Sequence, residues 1–394
     1  MKKEKRNLFE KIFGKKDIVR DLYSYEMLNG YESYFTNWGN VTYDSKVART
    51  AIDRIATHGA KMIPKHVKKD QHILGDIDYL LSNKPNEIMT TFDFLYKVIS
   101  QLETYNNAFI YIKKDSTGMI TAFYPILSYE DKLLQDKSDN VYLRFRFKNG
   151  KIYTVPYEDL IHLRRFYNQD DYWGSKNDVL NTDLETAHIS SEGTKNAIKT
   201  TNSLKGILNY ENSYMRSKDL KESRDAFIQD FLSEANSSGI ASLDAKAKFQ
   251  EINMKPIMLD DEQLKRVNQN IYDYFGISED IIRNDYTPEK WNAFYEGVLE
   301  PLAIQMGQAF TKAIFGEQAI KEGNKITFTT YRLQYASIEQ KVKLLNAILS
   351  YGVLTKNKTL EILDMDKLPG EEGEKILQSL NNINADIADK YQGG

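Results

Sequence analysis

The chain has 394 residues, 41% of them hydrophobic and 28% charged, which is an ordinary globular composition and allows two or three domains. Cysteine is absent, which excludes disulfides, thiolate nucleophiles and cysteine-ligated metals. The net charge of −3 argues against a basic nucleic-acid coat, and no apolar run reaches the roughly 18 residues that a transmembrane helix needs.

Residues 1–40 are predicted to be an arm with little fixed helix or strand. The segment begins with scattered basic residues and continues into a stretch rich in aromatic residues, Asn and Gly. It lacks the continuous apolar block of a signal peptide. We therefore expect a partner to order this arm.

Helical periodicity follows the arm. From Asp44, the residues Val47, Ala51 and Ile55 recur every four positions. A second helix is predicted over "GDIDYLLSN", ending before Pro85. A third is predicted over "FDFLYKVISQLETY", beginning near residue 90 or 91.

The period then changes to that of strands. "NAFIYIKK" and "MITAFYPI" are predicted to be two strands separated by the turn "DSTG". "VYLRFRFKNGKIYTVP" predicts a hairpin, because alternating residues flank Asn149 and Gly150, a pair favoured in type I′ turns. "DLIHLRRF" is predicted to be a further strand.

Residues 181–204 predict a long helix whose apolar face is unusually poor. Its most apolar stripe is formed by mostly small residues, of which only half are apolar: Leu184, Ala187, Ser191, Thr194, Ile198 and Thr201. Such a helix builds a weak core alone, and we expect it to pack against copies of itself or against water.

Residues 206–257 are predicted to be a compact insertion. "GILNYE", "IASLDA" and "AKFQEINM" are typical of strands, and "LKESRDAFIQDFLSEA" of a helix. "DDEQLKRVNQNIYDYFG" then predicts a helix that ends at Gly276.

Residues 291–315 hold the longest amphipathic pattern, with Pro301 in its interior. Proline removes one backbone hydrogen bond and crowds the carbonyl four residues earlier, which here belongs to Gly297. We therefore predict one helix with a kink between these two residues. A strand over "NKITFTTYRLQY" and helices over "SIEQKVKLLNAILSYG" and "TKNKTLEILDM" complete the pattern.

The residues form no recognisable catalytic arrangement. The five histidines include no HExxH pair, so a zinc site is not expected. His162, inside "LIHLRRF", is predicted to be a packed structural histidine. P-loop, GxGxxG and GxSxG motifs are absent, so no metal, cofactor or enzymatic activity is predicted.

The order of five short segments resembles the portal proteins of tailed bacteriophages, in the HK97-like portal family. The segments are "LLSNKPNEIMTTFDFLYKVISQLETYNNAFIYI", "VPYEDLIHLRRF", "IYDYFGISEDII", "FYEGVLEPLAIQM" and "GVLTKNKTLEIL". Three departures stand out: Asn106 replaces a usual Gly, Ser278-Glu279 replaces Pro-Pro, and Lys358 replaces Glu. The resemblance covers most of residues 41–365.

The resemblance implies an α+β portal fold with an α/β wing, a helical stem, a small α/β clip, a long kinked helix and a helical crown. The implied boundaries are arm 1–40, wing 41–180, stem helix 181–205, clip 206–257, second stem helix 258–278, tunnel loop 279–290, kinked helix with a return strand to the wing 291–336, and crown 337–394.

The resemblance also implies a function: a ring, usually of twelve subunits, at one capsid vertex, through which double-stranded DNA is packaged and ejected. The implied partners are the terminase large subunit, the major capsid and scaffold proteins and a head–tail adaptor, with no membrane. The protein would be made in the host cytoplasm and reside in the virion.

Two groups of site residues follow from the resemblance. The tunnel-loop candidates for contact with DNA are Arg283, Asn284, Asp285, Tyr286 and Lys290. The candidates for docking partners on the clip are Arg224, Phe227 and Phe231. A different ring-forming virion protein, such as a head–tail adaptor, is the alternative, followed by a nucleic-acid enzyme.

Overall fold

This computed structural model describes residues 23–24, 39–127, 130–147, 149–168, 170–201, 206–210, 218, 221–222, 225, 247–251, 260–329, 338–349, 351–363 and 365–376. The chain divides into unit 1, Met1–Asp178 with Tyr272–Gly394, and unit 2, Val179–Ile271. Within the described ranges, no helix combines the length and hydropathy needed to cross a lipid bilayer.

Helices occur before, between and after the strands along the chain. They are α1 (Gly39–Asp44), α2 (Lys46–Gly59), α3 (Asp76–Ser82), α4 (Thr91–Tyr105), α5 (Asn181–Thr201), α6 (Asp261–Tyr274), α7 (Glu279–Arg283), α8 (Pro288–Phe294), α9 (Glu300–Ile314), α10 (Glu317–Lys321), α11 (Ile338–Leu349) and α12 (Lys356–Ile362). A π-helical turn, Tyr295–Leu299, joins α8 to α9, and short 3-10 turns cover Tyr157–Asp159, Asp178–Leu180 and Gly370–Glu374.

In the described residues, the strands form four small antiparallel sheets. They are β1 (Tyr23–Ser24), β2 (Ile63–Lys68), β3 (Gln71–His72), β4 (Asn107–Lys114), β5 (Ile120–Ile126), β6 (Glu130–Gln135), β7 (Val141–Arg146), β8 (Ile152–Pro156), β9 (Leu160–Arg164), β10 (Gly206–Tyr210), β11 (Ala247–Glu251) and β12 (Asn324–Thr329). The sheet orders are β1-β6-β7-β8, β5-β4-β9, β12-β2-β3 and β10-β11. The α+β class is thus confirmed.

The core of unit 1 packs helices on sheets. The apolar face of α2 is buried, and α4 begins with a capping box in which the Thr90 hydroxyl accepts from the Asp93 N–H and the Asp93 carboxylate from the Thr90 N–H. Phe310 of α9 lies 6.0 Å from Phe123 of β5 and 5.1 Å from Phe328 of β12, measured between ring centroids. These rings pack α9 against β5 and β12.

The return of the chain after the long helix is confirmed as a strand in its described part. β12 pairs antiparallel with β2, with Asn324 opposite Lys68 and Thr329 opposite Ile63. The pairing brings segments more than 250 residues apart into one sheet. The pattern of residues 63–68 did not predict β2, because polar residues interrupt its alternation.

The predicted hairpin is present, but its turn differs from the prediction. The Gly150 N–H donates to the Phe147 carbonyl at 2.9 Å, and the Phe147 N–H donates to the Lys151 carbonyl at 2.9 Å. The turn therefore begins at Phe147, and Gly150 occupies its fourth position with φ 77°. A type I′ turn would place Asn149 and Gly150 at the centre, so that assignment is wrong.

Three further strands, β1, β3 and β6, were not predicted. In β6, the polar Asp131 is buried, and Leu134 is buried on the opposite face of the strand. The sequence of β6 therefore lacks the alternation of apolar and polar residues that marks a strand. β1 pairs with β6, with Tyr23 opposite Gln135. The arm of residues 1–40 therefore contributes at least one short strand.

Unit 2 contains the predicted long helix as α5 and two of the predicted strands as β10 and β11, which pair antiparallel. Asn270 of α6 donates from its side-chain amide to the Asp183 carboxylate of α5 at 3.4 Å. Residues 218, 221, 222 and 225 are helical, within and just before the helix expected there. The strand expected over "IASLDA" lies outside the described residues.

Candidate functional site

The end of α6 fixes the start of the candidate segment. Gly276 adopts φ 68°, and its N–H donates to the Asp273 carbonyl at 3.0 Å. The N–H of Ile277 donates to the Tyr272 carbonyl at 3.1 Å, which completes a Schellman motif. Ile277 is buried, so the chain turns into the core at this point. Gly276 is thereby confirmed as the helix terminator.

The segment from residue 279 to 290 is mostly helical, which corrects its description as a loop. Ser278 has the extended backbone of an N-cap, and α7 follows at once. Ile281 and Ile282 are buried and anchor α7 in the core of unit 1. Asn284 ends the helix in the left-handed conformation, φ 58°. The irregular connector shrinks to residues 284–287.

The next helix begins three residues earlier than predicted. Thr287 has an extended backbone, and its hydroxyl accepts from the Lys290 N–H at 3.4 Å. Pro288 occupies the first helical turn, where its missing N–H is not needed. The sequence signal was present as Thr-Pro, a typical helix start, but the apolar periodicity begins only at Trp291. Lys290 therefore lies on α8.

The cations of this segment are paired with acids of the same segment. The Lys290 ammonium lies 2.6 Å from the Asp280 carboxylate, which raises the pKa of Lys290. Arg283 forms an ion pair with Glu279, one turn earlier. Residues 279–290 contain four acids and two bases, a net charge of −2. Such a surface has no net attraction for phosphate, and its exposed ion pairs add little stability.

Aromatic stacking fixes the one ring of the connector. The ring of Tyr286 lies 5.3 Å from that of Trp291, which in turn lies 4.9 Å from the His58 ring of α2. Trp291 is buried and Tyr286 is half-buried, whereas Asn284 and Asp285 are exposed. Asn284 and Asp285 are thus exposed to solvent, whereas the Tyr286 ring is held against Trp291.

The long helix departs from α geometry where the kink was predicted. Tyr295 and Leu299 keep helical backbone angles, but the hydrogen bonds between them follow the π pattern. Pro301 lies in the first turn of α9 and supplies no N–H to Gly297. A π turn is a common cause of helix bending. A Cβ at Gly297 would meet no tertiary neighbour within 4 Å, so packing does not require glycine there.

A polar network not predicted from the sequence lies at the junction of α4 and β4. Asn106, which stands where the resemblance to portal proteins implies a Gly, adopts φ 55°, a left-handed conformation that glycine adopts readily. Its amide donates to the Ser175 carbonyl at 2.6 Å and to Asn177 at 2.5 Å. Asn177 in turn bonds the Tyr274 hydroxyl. The network ties the two chain segments that flank unit 2.

A buried ion pair supports the same junction. Glu103 and Arg165 form a salt bridge, and the side chain of Glu103 is 6% exposed. Burial raises the pKa of Glu103, and the neighbouring guanidinium opposes this effect. Arg165 also donates to the Tyr274 carbonyl at 3.2 Å. This buried acid–base pair therefore has a structural role.

His162 is confirmed as a packed histidine. One ring nitrogen lies 2.8 Å from the Tyr157 hydroxyl and the other 3.0 Å from the Asn107 side-chain oxygen. Burial lowers the pKa of His162 well below 6.5, and the Arg164 charge adds to this effect. In the described parts of the chain, no group of three or more His, Asp or Glu side chains could hold a metal ion.

The predicted clip candidates Arg224, Phe227 and Phe231 lie outside the described residues. Of the other candidates, Lys290 lies on α8 and Arg283 on α7, and Tyr286 of the connector packs against Trp291 of α8. Asn284 and Asp285 are the candidates that the connector leaves exposed.

Comparison with known proteins identifies the family. The model of the family described as "Phage portal protein" matches residues 46–364. The "Probable portal protein" of Lactococcus phage p2 is 21% identical over 410 residues, which span 98% of this chain and 96% of that protein.

Solved structures share the fold. A chain from the neck of a native GTA particle, computed with C12 symmetry, superposes with a TM-score of 0.58 at 14% identity, over 84% of this chain and 93% of that one. An HK97-family phage portal protein from Corynebacterium diphtheriae superposes with a TM-score of 0.52 at 12% identity, over 78% and 99%. Because the family model covers far more than half of the sequence, this chain belongs to the phage portal protein family.

Proposed function

We propose that this portal protein assembles into a closed ring at one vertex of a phage capsid and forms the channel through which double-stranded DNA enters and leaves. The family match over residues 46–364 carries this proposal. Membership of the portal family supports a structural conduit, and the contacts of His162 and Glu103 within the fold agree with it.

The ring is proposed to contain twelve identical subunits. The structural neighbour in the GTA neck was computed with C12 symmetry, and its fold covers most of this chain. A cyclic ring requires two unlike, complementary surfaces on each subunit. The polar outer stripe of α5 supports this view, because Ser191 and Thr194 are exposed in the single chain and bond only within their own helix.

The regions are proposed to follow the family layout. Residues 41–180 would form the wing, residues 181–205 and 258–278 the stem, residues 206–257 the clip and residues 337–394 the crown. The separation of Val179–Ile271 as its own unit supports the wing–stem boundary. The strand return of β12 to β2 supports the assignment of residues 291–336.

The connector of residues 284–287 is proposed to be the tip of the tunnel loop, facing DNA. Asn284 and Asp285 are exposed there, and the nearby cations are already paired with acids. A channel through which DNA slides needs few and weak phosphate contacts, because each retained contact adds affinity and salt dependence. The net charge of −2 in residues 279–290 suits such a surface.

The proposed partners are the terminase large subunit and the head–tail adaptor at the clip, and the major capsid and scaffold proteins around the ring. ATP hydrolysis is assigned to the terminase. The protein would be made in the host cytoplasm and become part of the virion.

Depletion of the chain during phage growth tests this function. Heads that assemble without it should contain no nuclease-resistant DNA of genome length, and supplying the wild-type chain should restore packaging. Filled heads that only lack tails would instead indicate a head–tail adaptor. Normal, infectious particles would contradict both assignments.

A further inference from the structure

An apolar groove runs along unit 1 between α9 and β12. Its volume is about 660 Å³. Ala303, Gly307 and Ile326 form a buried floor, whereas Ile304 on the rim is 55% exposed and Ile320 is 39% exposed. A groove with an apolar floor and exposed isoleucines at its rim is typical of a protein–protein contact.

The groove follows the outer edge of a strand. β12 pairs with β2 on one side only, and on its other side the Ile326 N–H donates to the Thr311 hydroxyl at 2.8 Å. Gly307 permits this approach, because a Cβ there would lie 2.9 Å from the Ile326 carbonyl oxygen. Phe328, two residues further along, directs its backbone to the same edge. The helix α9 thus covers the edge at Ile326, and the groove beside it offers apolar side chains to another chain.

The opposite edge of the same sheet carries a protruding apolar residue. The strand order β12-β2-β3 places β3 at the far edge from the groove. Leu74 lies two residues after β3 and is 83% exposed, and Tyr79 on α3 is 58% exposed. Asp76, also exposed, lies two residues after Leu74, whereas the exposed Lys312 lines the groove. The two edges are therefore unlike in shape and complementary in charge.

We propose that the groove between α9 and β12 of one copy receives the Leu74 edge of the next copy in the ring. This inference rests on the proposed ring, since a head-to-tail ring joins two unlike surfaces of identical subunits. Leu74 enters the apolar groove beside Ile304, and Asp76 lies near Lys312 of the neighbouring copy. The contact buries apolar side chains that a single chain leaves in water.

Cysteine cross-linking of the full chain tests the pairing, because the natural sequence contains no cysteine. The double variant Leu74→Cys/Ile304→Cys should give a ladder of disulfide-linked oligomers after oxidation of assembled rings. Met119→Cys/Ile304→Cys is the matched control. Met119 is an exposed apolar residue like Leu74, at 58% exposure, but it lies in the turn between β4 and β5. Equal ladders from both variants, or no ladder from the first, would overturn the pairing.

Assembly measurements test the groove independently. Ile304→Asp should raise the concentration needed for half-assembly about tenfold or more, because a buried isoleucine contact is lost at every interface. Met119→Asp should leave it unchanged, and both variants should unfold at the wild-type temperature as single chains. If Ile304→Asp rings form normally, the inference is wrong even if DNA packaging fails, since the groove then serves another partner. If the wild-type chain forms no ring, the proposed function itself fails first.

Discussion

Gly174 lies where two backbone segments meet. A Cβ there would lie 2.3 Å from both the Arg165 and the Asn106 carbonyl oxygens, and backbone atoms cannot move aside as a flexible side chain can. The N–H of Gly174 also donates to the Asn107 side chain at 2.8 Å. This close approach of two backbone segments explains why residue 174 is a glycine.

Gly174→Ala should therefore lower the free energy of unfolding by about 2–3 kcal/mol, as overpacking does in a rigid site. Denaturant unfolding of the full chain would measure the change. Gly297→Ala is the control, because a Cβ at Gly297 meets nothing within 4 Å in a helical segment, and it should not lower stability. Equal effects of the two substitutions would show that the junction is not tightly packed.

His58 gives the fold a dependence on pH. Burial lowers the pKa of His58 to about 4, and the charges of Lys61 and Arg54 add to this effect while Asp53 opposes it. The unfolded chain takes up a proton near pH 6.5, whereas the folded chain does not until about pH 4. Stability present above pH 6.5 is therefore lost as the pH falls between these values.

Between pH 7 and pH 5 we expect His58 to account for a loss of roughly 1 kcal/mol, reduced from the full shift by solvent screening. His58→Phe keeps an aromatic ring beside Trp291 and cannot titrate, so the loss in this variant should be smaller. Some loss should remain, because the pKa of His162 is also lowered. Identical pH profiles of unfolding for variant and wild type would contradict this role of His58.

At the scale of elements, the connector between α7 and α8 is fixed by the two helices that flank it. Buried Ile281 and Ile282 anchor one helix, and the Thr287 cap begins the other. Deleting residues 280–290 would remove these anchors together with the exposed tip. Substitution of Asp285, whose side chain is exposed, tests contact with DNA without disturbing the core.

Asp285→Arg should slow DNA uptake into heads at low salt and less so at high salt. Each new phosphate contact changes affinity about threefold between about 50 and 200 mM salt. Asp171→Arg places the same charge on another exposed position and should leave the rate unchanged. An uptake rate insensitive to Asp285→Arg at both salt concentrations would remove the connector from the DNA path.

The elements also show what the sequence could predict. Helices with periodic apolar faces and local terminators, such as the one that ends at Gly276, were predicted because their signals lie within a few residues. β2 was not, because its partner β12 lies more than 250 residues away and its own pattern is broken by Lys65 and His66. The turn at Gly150 was misassigned by one position, since the register depends on the whole hairpin.

The candidate site shows the same limit. The connector was located by family resemblance, yet its length was overestimated, because the apolar periodicity of α8 begins only after its capping turn. The network of Asn106, Asn107 and Gly174 depends on contacts across some 70 residues of sequence, which no local pattern contains.

At the scale of the whole molecule, several features are incomplete in a single chain. α5 exposes a polar stripe, an apolar groove beside β12 is open to solvent, and Leu74 is exposed. The net charge of −3 is compatible with a conduit that lets DNA pass. A ring of copies accounts for all of these features together.

The mass and rotational symmetry of the purified full chain, measured by electron cryomicroscopy, test this account most directly. We predict a closed ring of a single symmetry, with twelve copies and an axial channel. A chain that remains monomeric at high concentration, also in the presence of its capsid and scaffold proteins, would contradict the account.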